Sequence, residues 1–170
     1  LELLIVVGII GLLAGLLFPV LGKVRERGWQ SRCLSNLHQL GIAVNLYAQD
    51  HRQYLPVAAM QPTVNTNLPA IAALLSPHVG QQQSKVFQCP ADRQPLDAGQ
   101  TFYEAEGCSY SWNSLLNGRL IDRAQIDIAA MKLWPPIMGD YEKFHGGGDS
   151  SRNYLYPDGR VEHDLKSLIQ

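Results

Sequence analysis

The residues best able to do chemistry lie near the C-terminal end. Asp140, Glu142, His145, Asp149, Asp158 and His163 bring carboxylate oxygens and imidazole nitrogens to one stretch, interrupted by Gly146-Gly147-Gly148-Asp149-Ser150-Ser151. Calcium takes six to eight oxygen ligands, and a glycine-rich loop can wrap such an ion. Asp140, Asp149 and Asp158 are therefore the candidate metal ligands and calcium the candidate cofactor; the plainer alternative is a set of solvated loop charges. Neither an EF-hand spacing nor H-E-x-x-H is present.

The three cysteines, Cys33, Cys89 and Cys108, contain no C-x-x-C pair, and an odd number leaves at least one thiol unpaired within a chain. No G-x-S-x-G, P-loop, G-x-G-x-x-G or closely spaced nucleophile and base occurs, so the sequence points away from an enzyme. His38 and His51 read as solvated helix residues and His78 as a loop residue. With 14 Lys and Arg against 15 Asp and Glu, the net charge of −1 offers no basic surface, and no nucleic-acid partner is expected.

The elements that must carry these residues fall into two phases. The chain of 170 residues is 46% hydrophobic, but residues 3–21 hold no charge and no strongly polar side chain. Nineteen helical residues would span roughly 28 Å, close to the hydrocarbon thickness of a bilayer. A cleaved signal peptide and a buried core helix are the alternatives, and a membrane helix is the better reading because the basic start and small-residue cleavage site of a signal are missing. Gly11 and Gly15 form a G-x-x-x-G spacing that permits close helix approach, and with Pro19 they mark a stretch that can kink or locally unwind. Glu2 is the one charge before Lys23, so the remainder carries 14 charges of each sign and is long enough to bury its own core.

Beyond Gly22 the helix continues as an amphipathic one. Trp29, Cys33, Leu34, Leu37, Leu40, Gly41, Val44, Tyr47 and Ala48 recur at spacings of three and four, with Arg32, Asn36, Gln39 and Asn45 on the wet side. It should stop near His51, ahead of Pro56. This divides the chain into 1–22, a hydrophobic membrane or filament-core helix, 23–52, its amphipathic continuation, and 53–170, a globular head. In the head, residues 57–67 read as a loop and 68–75 as a short helix with Asn67 as N-cap. Residues 133–140, with Pro135 and Pro136, read as an edge strand at best. Asn153-Tyr154-Leu155-Tyr156 and Arg160-Val161-Glu162-His163 flank Pro157-Asp158-Gly159, an Asp-Gly hairpin in which Gly159 supplies a positive φ.

The segment Leu1-Glu2-Leu3-Leu4-Ile5-Val6-Val7-Gly8-Ile9-Ile10-Gly11-Leu12-Leu13-Ala14, followed by Pro19, closely resembles the N-terminal helix of type IV pilins and type II secretion pseudopilins. Arg32-Cys33-Leu34-Ser35-Asn36-Leu37-His38-Gln39-Leu40-Gly41, with Tyr47, Asp50 and Tyr54-Leu55-Pro56, adds a narrower resemblance. It is similar to the pilin-like proteins of planctomycetes and verrucomicrobia that carry a histidine and, further on, an Asp-Gly pair. Here His145 precedes Asp158-Gly159 with twelve residues between, against the commoner nine. Lys85-Val86-Phe87-Gln88-Cys89-Pro90-Ala91-Asp92 resembles the strand and Cys-Pro turn of that group, and Ser109-Tyr110-Ser111-Trp112-Asn113 a further short strand or turn. The resemblances cover residues 1–56 and roughly 87–163.

The resemblance implies an α+β type IV pilin fold: a long N-terminal helix packed on a small antiparallel sheet, with a variable C-terminal loop region. It implies a structural subunit that polymerises with itself through the hydrophobic helix, after a prepilin peptidase removes a basic leader and the new N-terminus is methylated. The sequence then looks like a mature form lacking its first residues. Glu2 would neutralise the N-terminal amine of a neighbouring subunit, since a buried unpaired charge costs several kcal/mol. The partners would be other copies, the prepilin peptidase, the inner-membrane assembly platform and, before assembly, the membrane. The chain would be a single-pass inner-membrane protein with a periplasmic head, later part of an extracellular pilus or a periplasmic pseudopilus. Lys23, Arg25, Arg27 and Arg32 oppose that orientation under the positive-inside rule, and a basic leader would oppose them in turn. Pseudopilins that this chain resembles hold a calcium in a C-terminal loop. An exported head permits a disulfide, for which Cys89 with Cys108 is favoured because both lie in turn-rich segments, leaving Cys33 as a small hydrophobe on the helix; Cys33 with either partner is the rival. The alternative function is a monomeric, inner-membrane-anchored periplasmic binding domain.

Overall fold

One helix, α1 (Glu2–Asp50), makes up the N-terminal part of the computed structural model, which describes residues 2–80, 84–93, 99–128, 131–145 and 152–163. Side chains at 2, 5, 14, 17, 19, 84, 127, 128, 131 and 132 are outside the description. α1 has 49 residues and runs unbroken past Gly8, Gly11, Gly15 and Pro19, a length of about 73 Å at 1.5 Å per residue. It ends where the sequence predicted. Arg52 and Gln53 take positive φ values of 55° and 69°, and the Gln53 amide turns back to donate to the Ala48 carbonyl at 2.7 Å. That six-to-one closure satisfies an end carbonyl the helix itself cannot.

The head packs on the second half of α1. Cys33, Leu37, Leu40, Ala43, Val44 and Ala48 are all buried on one face, the stripe expected from the three-and-four spacing. Against it lies a four-stranded antiparallel sheet in the order β1-β4-β5-β6, formed by β1 (Tyr110–Trp112), β4 (Met138–Asp140), β5 (Asn153–Leu155) and β6 (Val161–His163). β2 (Ile126–Ile128) and β3 (Met131–Leu133) pair as a separate hairpin. Helix and sheet approach closely at Gly41, where an added Cβ would stand 2.8 Å from Leu155 Cδ1, so glycine lets β5 lie against the helix. Two short helices, α2 (Ile71–Leu75) and α3 (Phe102–Glu106), close the core, whose largest fully buried side chains are Trp112, Tyr110 and Tyr156.

The C-terminal hairpin forms as the Asp-Gly signal predicts. Leu155 pairs with Val161, Gly159 has φ 84°, and the Gly159 amide donates to the Tyr156 carbonyl at 3.0 Å. Four expectations are corrected. The 133–140 segment is not an edge: Pro135 and Pro136 fall before β4, and β4 itself is central, bonded to β1 and β5. Residues Ser84–Phe87 form a 3-10 turn, not a strand. The N-cap of α2 is Ala70, which makes no side-chain cap bond, while the Asn65 side chain accepts from the Asn67 amide. Asn36, expected to be wet, instead donates to the Gln88 carbonyl at 2.9 Å and to the Tyr110 hydroxyl at 3.2 Å.

Candidate functional site

The first half of α1 leaves its apolar surface uncovered. Among the described residues, thirteen large apolar side chains between Leu3 and Val24 are more than half exposed, Leu3 reaching 79% and Phe18 72%. Their summed exposed area is on the order of 1,000 Å², well above the few hundred Å² an isolated soluble protein leaves bare. Gly8, Gly11 and Gly15 have nothing within 4 Å of where a Cβ would stand, so the G-x-x-x-G strip is open for another helix. Among the described residues no helix is long and apolar enough to cross a membrane, a statement that leaves out the side chains at 2, 5, 14, 17 and 19. The uncovered stretch ends at Trp29, whose ring meets two guanidinium groups, Arg25 Cζ at 4.9 Å and Arg93 Cζ at 3.9 Å from its centroid. Four residues on, the helix is joined covalently to the head.

That join is a disulfide between Cys33 and Cys89, with Cα atoms 5.1 Å apart. It replaces the expected Cys89–Cys108 pairing: Cys108 is a free, buried thiol. The reason lies in side-chain alternation along extended backbone. Ser109, next to Cys108, faces the Cys-Pro turn, its Oγ accepting from the Cys89 amide at 3.0 Å and its own amide donating to the Phe87 carbonyl at 2.8 Å. Cys108 faces the other way, and its sulfur accepts from the Tyr110 amide at 3.4 Å. Burial pushes the Cys108 thiol up to about 12, which leaves it protonated and unreactive.

His145 completes a cluster around the disulfide. Ligand atoms of Cys33, Cys89 and His145 all lie within 4.8 Å of one another, and all three residues are buried. His145 Nε2 is 3.6 Å from Cys89 Sγ and 3.6 Å from Asp140 Oδ2, and both the imidazole and the carboxylate are almost wholly enclosed. Asp140 Oδ2 accepts from the backbone amide of Asn153 at 2.8 Å and its side-chain amide at 2.9 Å. Asp140 Oδ1 and His145 Nδ1 are buried without a hydrogen-bond partner. Burial dominates both titrations: it pushes the Asp140 carboxyl up to about 7, against the Asn153 hydrogen bonds that pull it down, and it pushes the His145 imidazole down to about 4.

A second buried carboxylate, Asp92, organises the turn that carries Cys89. Its oxygens accept from the Phe102 amide at 3.2 Å, the Tyr103 amide at 2.9 Å and the Ser109 hydroxyl at 2.7 Å. A groove of about 610 Å³ opens between α1 and this turn, lined in part by Arg32, Lys85, Arg93 and Cys89.

The oxygen-rich calcium set expected from the sequence is not assembled among the described residues. Asp140 turns inward, its Oδ2 accepting from Asn153, and Asp158 is exposed in the hairpin turn, where it accepts from the Arg160 amide at 3.0 Å. Glu142 pairs with Arg152 at 2.9 Å, His163 bonds Asn153 at 3.0 Å, and Asp149 lies outside the described residues. Glu2 and Pro19 lie within α1, their side chains undescribed. The sequence singled out Cys89, His145 and Asp140 separately but not their meeting with Cys33; a cysteine on the buried stripe of the helix was the signal available. Searches for a matching family model, a similar curated protein and a similar solved structure return none.

Proposed function

We propose that the chain is a filament subunit of the type IV pilin and pseudopilin kind, held in a membrane by residues 3–21 until other copies replace the lipid around them. The reading rests on one observation, the apolar half-helix that projects from a folded head with its large side chains exposed. Such a surface needs a cover, and lipid and neighbouring helices are the two covers an uncharged helix with an open G-x-x-x-G strip accepts. The long helix on a four-stranded antiparallel sheet is compatible with a pilin-like fold. In this reading Glu2, the one charge before Lys23, sets register by meeting the terminal amine of an adjacent copy. The partners are the processing peptidase and assembly platform of the inner membrane, and the head faces away from the cytoplasm.

Expression of the leader-bearing precursor with its assembly system, followed by shearing and electron microscopy, tests this. Glu2→Ala should remove filaments while leaving the chain in the membrane fraction. The rival reading, a monomeric tethered binding domain in the periplasm, predicts no filaments from the parent chain, single copies after cross-linking, and no effect of Glu2→Ala.

A further inference from the structure

Around the disulfide, Cys33, Cys89 and His145 bring ligand atoms within 4.8 Å of one another. Two ligands on one tetrahedral zinc, a thiolate at about 2.3 Å and an imidazole nitrogen at about 2.05 Å, stand about 3.6 Å apart. Cys89 Sγ and His145 Nε2 are 3.6 Å apart, a sulfur hydrogen-bond contact that is also the separation two such zinc ligands would take. A carboxylate oxygen and an imidazole sharing the same ion would stand about 3.3 Å apart, and Asp140 Oδ2 is 3.6 Å from the same nitrogen. Asp140 Oδ1 is buried without a hydrogen-bond partner, a polar atom that a hydrogen-bond donor or a cation would satisfy.

We infer that Cys33, Cys89 and His145 form a redox-gated zinc(II) site, closed while the disulfide stands and available once it is reduced, with Asp140 the adjacent oxygen donor. Thiolate and imidazole ligands select zinc over calcium or magnesium. The opening step requires a dithiol reductant. Cys33 and Cys89 are fully buried, so attack follows a local opening beside the groove that Cys89 lines: one thiolate of the reductant bonds to Cys89 Sγ, forming a mixed disulfide and expelling Cys33 as the leaving thiolate. The reductant's second thiolate then displaces Cys89 and departs as its own disulfide. Two electrons pass from the dithiol to the Cys33–Cys89 bond, and two protons pass to the freed thiols. Zinc binding sends those two protons to solvent and leaves both sulfurs as thiolates. The thiols part from disulfide contact toward a thiolate–zinc–thiolate separation, and the sites of attachment, a helix and a Cys-Pro turn, move relative to each other. The inference stands whether or not the chain assembles into filaments.

The test uses the full chain in detergent, oxidised or reduced with a phosphine that does not hold the metal, titrated with cobalt(II) and then zinc(II). The reduced chain should take up one cobalt with thiolate charge-transfer and tetrahedral visible bands, which zinc bleaches; the oxidised chain should show neither. His145→Ala should weaken cobalt binding at least about tenfold, and Cys108→Ser should leave it unchanged. If reduction alone unfolds the head, zinc should restore the far-ultraviolet circular dichroism; a head that stays unfolded in zinc overturns the proposal. So does a reduced, folded chain that takes up no cobalt, binding equal in the oxidised chain, or bands that survive His145→Ala and vanish with Cys108→Ser.

Discussion

Breaking the Cys33–Cys89 bond should cost the head about 4 kcal/mol of unfolding free energy. The two cysteines are 56 residues apart in sequence, and closing a loop of that length removes about 14 cal/mol/K of chain entropy from the unfolded state, or about 4 kcal/mol near 25 °C. The comparison that isolates this term is the same chain oxidised and reduced, in chelator so that no metal substitutes for the bond, because the two states differ by one S–S bond and two hydrogens. Urea unfolding in detergent, followed by Trp fluorescence, reads it. The midpoint should fall on reduction and the slope should rise, since an unfolded chain without the cross-link exposes more surface. In a thermal scan the same loss is a drop of about 8 to 16 °C. A loss below about 1 kcal/mol would refute the reasoning: it would mean that residues 33 and 89 stay close in the unfolded chain, or that the bond does not form.

Two further outcomes follow from the buried carboxylates. The pH dependence of stability should be unmasked by Asp140→Asn. Asp140 titrates near 7 in the folded chain and near 3.8 outside it, so its contribution is complete below about pH 3.8 and is lost as pH rises through 7. His145, moved from 6.5 down to about 4, does the reverse: its contribution is complete above about pH 6.5 and is lost as pH falls through 4. Between about pH 4 and 6.5 the two offset each other in the parent chain, and Asp140→Asn should leave a stability that climbs with pH across that window; a urea midpoint that stays flat there defeats the assignment. Asp92→Ala strips acceptors from two amides at the start of α3 and from the Ser109 hydroxyl, and should cost about 3 kcal/mol or more in the same assay; Asp92→Asn, which keeps one acceptor oxygen, should cost less.

How much was legible before the structure depended on the range of the determining contact. The extent of α1, its buried stripe and the hairpin at Asp158-Gly159 follow from spacing and turn chemistry within a few residues. The central place of β4 is hidden by Pro135 and Pro136, which suggest an edge although the strand begins after them, at Met138. The disulfide partner was illegible because three segments must come together to choose it. Ser109 takes the position facing Cys89 that an alternation shifted by one residue would have handed to Cys108. A composition rich in carboxylates likewise does not say which of them fold inward: Asp140 folds inward onto Asn153 while Asp158 stays in water, and Asp149 lies outside the described residues. His145 belongs with the sulfurs only once β4, the Cys-Pro turn and the middle of α1 are superposed.

The position of the covalent tie along α1 has a mechanical meaning. Any assembly that grips this chain by its projecting half-helix passes tension to the head at the near end of the helix–sheet contact, where Trp29 meets Arg25 and Arg93 and the first core residue is Cys33. Packed surfaces loaded at one end peel, parting one contact at a time, and such failure needs far less force than sliding the whole contact at once. A bond at residue 33 stands where the peel would start. Tension then leaves the helix through that bond into the Cys-Pro turn and spares the buried stripe from Cys33 to Ala48, and reducing that one bond leaves a seam that opens from its end.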